Sequence, residues 1–218
     1  MTEVAADVID GPPWLQPLVR AVRAVRADQL SRFVPPEDGS GRHSAVLMLF
    51  ASPDGPAEAD VLLLQRAATL RSHAGQVAFP GGATDATDAS SAATALREAN
   101  EEVGLRPDTV DVLAELPALF LPPSGFVVTP VLGYWREPHP VGVVDTGEVA
   151  AVRRLPVAEL LDPANRFTVR HPSGFTGPGF EVGGLFVWGF TAGLLHRLFR
   201  LAGWERPWDR GVIRPVRD

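Results

Sequence analysis

The 218-residue sequence has no cysteine and no lysine, and only one tyrosine and two methionines. Without cysteine there are no disulfides and no thiolate metal sites, while the redox compartment stays open. Without lysine the phosphate loop G-x-x-x-x-G-K-[ST] cannot occur. All twenty basic residues are arginine, a usage that suits a GC-rich genome, so arginine alone is weak evidence of phosphate recognition here. No G-x-S-x-G elbow is present, which leaves a covalent serine mechanism unsupported. The histidines His43, His73, His139, His171 and His196 are scattered, with no H-x3-H pair of the zinc-binding kind. A net charge of −6 argues against a nucleic-acid surface, because phosphate backbones demand a basic footprint. The start lacks the basic and apolar regions of a secretion signal, and the longest nearly apolar run, residues 183–195, is too short for a bilayer. A soluble, cytoplasmic protein without membrane or nucleic-acid partners is expected.

Hydrophobic residues make up 45% of the chain, beside 21 glycines and 21 prolines, which suits one sizeable core with many loops. Leu15, Leu18, Val19, Val22, Val25 and Leu30 mark one amphipathic helix from about Pro13 to Phe33. Residues 44–51, 60–65, 76–79, 110–116, 126–135 and 148–154 read as strands, and 155–161 as a short helix. Residues 167–169 and 180–182 are expected to pair around the HPSGFTGPG turn, and 185–201 to form an apolar helix. Residues 119–126, LFLPPSGF, read as a proline-rich loop over the core. The segment from residue 202, with Trp204 and Trp208 among prolines and arginines, reads as an extended arm on its own subunit or a partner, so a homodimer is compatible. The divisions expected are an N-terminal helical extension (1–36), a central domain (37–202) and a tail (203–218).

Residues 79–105, FPGGATDATDASSAATALREANEEVGL, carry most chemistry. Glu98, Glu101 and Glu102 stand at i, i+3 and i+4, so on a helix they project from one face within about one turn. Like charges so close disfavour joint ionisation, whereas Mg²⁺ or Mn²⁺, which prefers oxygen ligands, makes the cluster favourable. Gly104 stands where a left-handed helix cap would fall. Glycines at 81 and 82 permit close approach of the backbone to a metal or phosphate.

This segment resembles the Nudix box, G-x5-E-x7-R-E-U-x-E-E-x-G-U with U aliphatic. From Gly82 the acid falls at Asp88, eight residues before Arg97, one more than the pattern has, and Ala99 occupies the first U. Asp88 is read as the helix N-cap, with the helix beginning near Ala89, or as a group supporting the site. Residues 62–82, LLLQRAATLRSHAGQVAFPGG, resemble LLTxR-[SA]-x3-R-x3-G-x3-F-P-G-G, the signature of coenzyme A diphosphatases, with Leu64 in place of threonine. Weaker likeness runs through residues 128–135, 147–161 and 187–195.

The resemblance implies an α/β fold, a Nudix-type α/β/α sandwich with a mixed β-sheet plus N- and C-terminal helices. It implies that Glu98, Glu101, Glu102 and the Gly81 carbonyl hold Mg²⁺ or Mn²⁺, that Arg97 braces the glutamates, and that Arg66 and Arg71 grip phosphate. The proton of the attacking water would go to a box glutamate, Glu98 or Glu101, or to the later Glu148 with Asp145 behind it. His73 is expected to be structural. The implied substrate is a small nucleotide, coenzyme A or acyl-coenzyme A. Another nucleoside diphosphate derivative and a silent nucleotide-binding module remain alternatives.

Overall fold

The computed structural model describes residues 11–31, 33–52, 56–70, 72–122 and 124–216. In chain order come helices α1 (Gln16–Ala24) and α2 (Ala27–Leu30), then strands β1 (Arg42–Ala51), β2 (Asp60–Arg66), β3 (Val77–Ala78) and β4 (Gly81–Ala83). Helix α3 (Ser91–Val103) is followed by β5 (Val110–Glu115), β6 (Leu119–Leu121), β7 (Phe126–Trp135) and β8 (Val149–Pro156). The chain ends with α4 (Val157–Leu161), β9 (Arg166–Arg170), β10 (Thr176–Val182), β11 (Leu185–Val187), α5 (Gly189–Leu201) and β12 (Ile213–Pro215).

The larger sheet runs β3-β2-β1-β7-β5, with β4 on β1, β6 on β7 and β8 on β2. It is mixed, since β1 and β7 are parallel while β2 and β4 join β1 antiparallel. Successive side chains of a strand point to opposite faces, and β1 is apolar on both. Ala45, Leu47, Leu49 and Ala51 bury with Ala95, Ala99 and Val103 of α3. Met48 and Phe50 bury on the other side with Leu18, Val19 and Val22 of α1 and Leu195, Leu198 and Phe199 of α5. The result is an α/β/α sandwich. Alanines on the inner face of α3 let that helix lie close to the sheet, which sets where its glutamates stand.

Several local expectations change. The N-terminal stripe is buried as read, but the helix is broken: Val25 is extended (φ −77°, ψ 144°), and Gln29 Oε1 accepts from Arg26 N at 2.9 Å to start α2 afresh. Pro17, not Pro13, lies in the first turn. Residues 185–187 are a strand, so the apolar helix starts at Gly189. Part of the 119–126 loop is strand β6, paired with β7. β9 and β10 do pair, but residues 167–169 lie opposite 177–179, with Phe167 facing Gly179, while the expected partners 180–182 pair with β11. A Cβ on Gly179 would lie 2.5 Å from the Phe167 ring, so glycine there makes room for an aromatic side chain.

The C-terminal segment is part of a second sheet, ordered β11-β10-β9-β12. Trp204 packs against Phe50, Phe199 and Trp14. The Arg166 side chain is fully buried between Phe180 and Trp208, at 5.0 and 4.8 Å from the ring centres. It donates to His196 Nδ1 at 2.9 Å and lies 3.4 Å from Glu205. Burial pushes His196 down to about 4, against the pull of Glu205 at 3.1 Å and with the surrounding arginines adding to the fall. Among the described residues no helix is long and apolar enough to cross a membrane.

Candidate active site

β4 pairs with β1, placing Gly81 opposite Val46 and Gly82 opposite Ala45. A Cβ on Gly81, whose φ is 154°, would stand 2.2 Å from the Ala45 carbonyl oxygen. One on Gly82 would stand 2.5 Å from the Glu98 carboxyl. The space these glycines leave is thus taken by the chain itself: by β1 at Gly81 and by a site carboxylate at Gly82.

Helix α3 starts later than expected, and Asp88 is not its cap. The N-cap is Ser90, whose Oγ accepts from Ala93 N at 3.1 Å. The extra residue of the motif therefore lies in the loop ahead of the helix. Asp88 instead holds Arg97, accepting from its Nε at 3.0 Å and Nη2 at 2.9 Å, and also from Thr94 Oγ1 and Asp85 N. Arg97 and the Asp85 amide keep the Asp88 carboxyl far below the usual carboxylate range. Arg97 Nη1 donates to Glu98 at 3.0 Å and Glu101 at 3.1 Å, and Nη2 to the Ala83 carbonyl at 3.0 Å. A two-point fork held at one edge presents its other nitrogens in fixed directions. Sequence reading missed Thr94, because a buried threonine on a helix carries no signal until its partner is known.

The three glutamates are not equivalent. At ~100° per residue, Glu102, Glu98 and Glu101 lie about 60°, 100° and 160° around the helix from Ala99, which faces the sheet. Exposure follows that order. Glu102 is 4% exposed, while the side chains of Glu98 and Glu101 are 17% and 57% exposed. Glu102 Oε2 accepts from Gly81 N at 2.9 Å. Burial pushes its carboxyl up to about 8, against the Gly81 N–H, with the charges of Glu98 and Glu148 adding to the rise and Arg66 opposing it. Burial likewise raises Glu98, against the pull of Arg97. Among the described residues no three acidic or histidine side chains converge tightly enough to cage an ion as they stand.

Glu148 and Arg66 meet this acid pair from the sheet edge. Arg66 ends β2, opposite Val149 of β8, and Ala67 N donates to the Glu148 carbonyl at 2.7 Å. Arg66 Nε is buried without a hydrogen-bond partner among the described residues. Residues far apart in sequence, 66, 81, 97, 98, 102 and 148, are thereby drawn to one place. Arg71 lies outside the described residues. His73 sits in a left-handed turn (φ 56°) with its ring 3.0 Å from Gln76 Oε1, a local structural contact. Asp145 turns its carboxylate to Gly147 N at 2.8 Å. Gly104 is the left-handed cap of α3 (φ 73°, ψ 24°).

Comparison with known proteins identifies the family. The NUDIX domain family matches residues 41–173. An uncharacterized Nudix hydrolase NudL of Cronobacter sakazakii is 46% identical over 157 residues, covering 69% of this chain and 78% of that protein. The NudL of Citrobacter koseri is 41% identical over 186 residues, covering 78% and 91%. Among solved structures, the Nudix hydrolase RenU from M. smegmatis has a TM-score of 0.49 at 23% identity, covering 78% of this chain and 95% of that one. The chain belongs to the Nudix family of hydrolases, enzymes that act on the pyrophosphate bonds of nucleoside diphosphate derivatives.

Proposed function

We propose that the protein is a divalent-metal-dependent diphosphatase of coenzyme A or acyl-coenzyme A, releasing 4′-phosphopantetheine (or its acyl form) and adenosine 3′,5′-bisphosphate. The observation that carries this reading is Arg66. It belongs to the segment resembling the coenzyme A signature, and its buried Nε–H has no hydrogen-bond partner among the described residues, beside the acid pair. A buried donor left unpaired is costly, and an anionic ligand at this spot would satisfy it.

The donors fit Mg²⁺ or Mn²⁺, being oxygens only. A carboxyl pushed to about 8 by its surroundings is one that a cation would return to its charged form. Glu98, Glu101, Glu102 and the Gly81 carbonyl would hold the ion, which when bound neutralises diphosphate charge and acidifies water. Arg97 keeps Glu98 and Glu101 oriented. Arg66, with Arg71, grips phosphate oxygens. Water attacks one phosphorus, the bridging P–O bond breaks, and the departing phosphate carries away the electron pair. Glu148, exposed at the edge, takes the water's proton.

A substrate panel tests this. Purified protein with Mg²⁺ or Mn²⁺ is given coenzyme A, acetyl-coenzyme A, NADH, ADP-ribose and nucleoside triphosphates, with Glu102→Gln as control. Turnover of coenzyme A above the others is expected, and Arg66→Ala should raise its KM about tenfold, as for one charge-assisted contact. Preference for another compound would overturn the substrate, and binding without turnover the diphosphatase chemistry.

A further inference from the structure

We infer that Asp145 is a positioning residue, holding the turn that decides where Glu148 stands; this rests on the proposed role of Glu148 as base. The side chain of Glu148 has no hydrogen-bond or ion-pair partner among the described residues. Its place is therefore set by its main chain.

That main chain is fixed at two points. On one side the loop hangs from the end of α3: Gly142 N donates to the Val103 carbonyl and Val144 N to the Glu102 carbonyl, both at 3.1 Å. These are among the last carbonyls of the helix, which have no partner within it. The loop lies so close that a Cβ on Gly104 would come within 3.3 Å of Val144. On the other side, the Glu148 carbonyl accepts from Ala67 N at 2.7 Å, next to Arg66. Between these anchors Asp145 gathers three main-chain donors. Its Oδ1 accepts from Gly147 N at 2.8 Å, and its carbonyl accepts from Glu148 N at 3.3 Å and Val149 N at 2.9 Å. An acceptor engaged this way serves the turn and is poorly placed to take the water's proton. The loop thus ties the base to the same helix that carries Glu98 and Glu102, so both halves of the site share one frame.

The test compares Asp145→Ala, Asp145→Asn and Glu148→Gln on the best substrate of the panel, with Mn²⁺ affinity by titration calorimetry and folding by urea denaturation. Asparagine keeps the Oδ1 acceptor without the charge. A small displacement of a reacting group can lower rate by ~100-fold, so Asp145→Ala should lower kcat about 10- to 100-fold with KM and Mn²⁺ affinity within about twofold. Asp145→Asn should restore kcat to within about threefold. Unchanged kcat in Asp145→Ala, or no rescue by asparagine, overturns the inference. A fall in Mn²⁺ affinity or in folded fraction matching the fall in kcat also overturns it, because the effect would then be general. If Glu148→Gln keeps full kcat, Glu148 is not the base, and the failure lies with that reading.

Discussion

Burial of Glu102 makes a prediction that can be worked through. With its carboxyl raised from 4.5 to about 8 in the folded chain, folding at neutral pH holds a proton that the unfolded chain releases. The sign follows: the associated stability is fully present below pH 4.5 and is lost as pH rises through about 8. At about 1.36 kcal/mol per pH unit, that span corresponds to ~5 kcal/mol at most. Relaxation of the site reduces this to on the order of 3 kcal/mol, still a large part of a typical domain's stability. The assay is urea unfolding in EDTA between pH 5 and 9, for wild type and Glu102→Gln. Glutamine keeps the shape and the acceptor for Gly81 N but cannot ionise. The wild type should therefore lose on the order of 3 kcal/mol more than the variant over this range, and the variant should be the more stable of the two at pH 9. Adding saturating Mn²⁺ to wild type at pH 7 should release about one proton per chain, and from the variant fewer. A stability difference that does not change with pH would show that Glu102 is ionised in the folded metal-free protein, and the burial argument would fall.

Four further outcomes follow from the geometry. Gly81→Ala drives a Cβ to 2.2 Å from a backbone oxygen and should destabilise by about 2–4 kcal/mol. Gly82→Ala meets only a movable carboxylate and should keep its stability within about 1 kcal/mol while losing about 100-fold in kcat; urea midpoints and steady-state rates separate the two. Asp88→Ala frees Arg97 and should lower Mn²⁺ affinity or kcat by about 10- to 100-fold, and equal values to wild type would show that Glu98 and Glu101 hold Arg97 unaided. Trp208→Ala uncovers Arg166 and should cost about 2–3 kcal/mol in urea with turnover per folded molecule unchanged.

Short-range pattern was enough for the elements that make the site. The span of β7, the glutamate helix and its left-handed cap at Gly104 each follow from residues within one turn or one strand of each other. Even the ranking of Glu102, Glu98 and Glu101 by burial is implicit in the helical angle from Ala99, once Ala99 is known to face the sheet. Residue type alone does not reveal that orientation.

What only the tertiary structure decided are the contacts between distant segments. The break at Val25 depends on Gln29 reaching back to Arg26. The conversion of the C-terminal segment into β12 depends on β9 offering it an edge. The Arg166, His196, Glu205 and Trp208 cluster joins three elements with no common motif. At the site, the sequence by itself determined which carboxylates and arginines are available and that three acids share a helix face. The packed sheet determined their inequality, burying Glu102 against Gly81 N, leaving Glu101 on Arg97, and bringing Arg66 and Glu148 to the same edge. The physical reason is that helical spacing fixes directions within one element, whereas desolvation and charge proximity depend on which other elements fill the space around it.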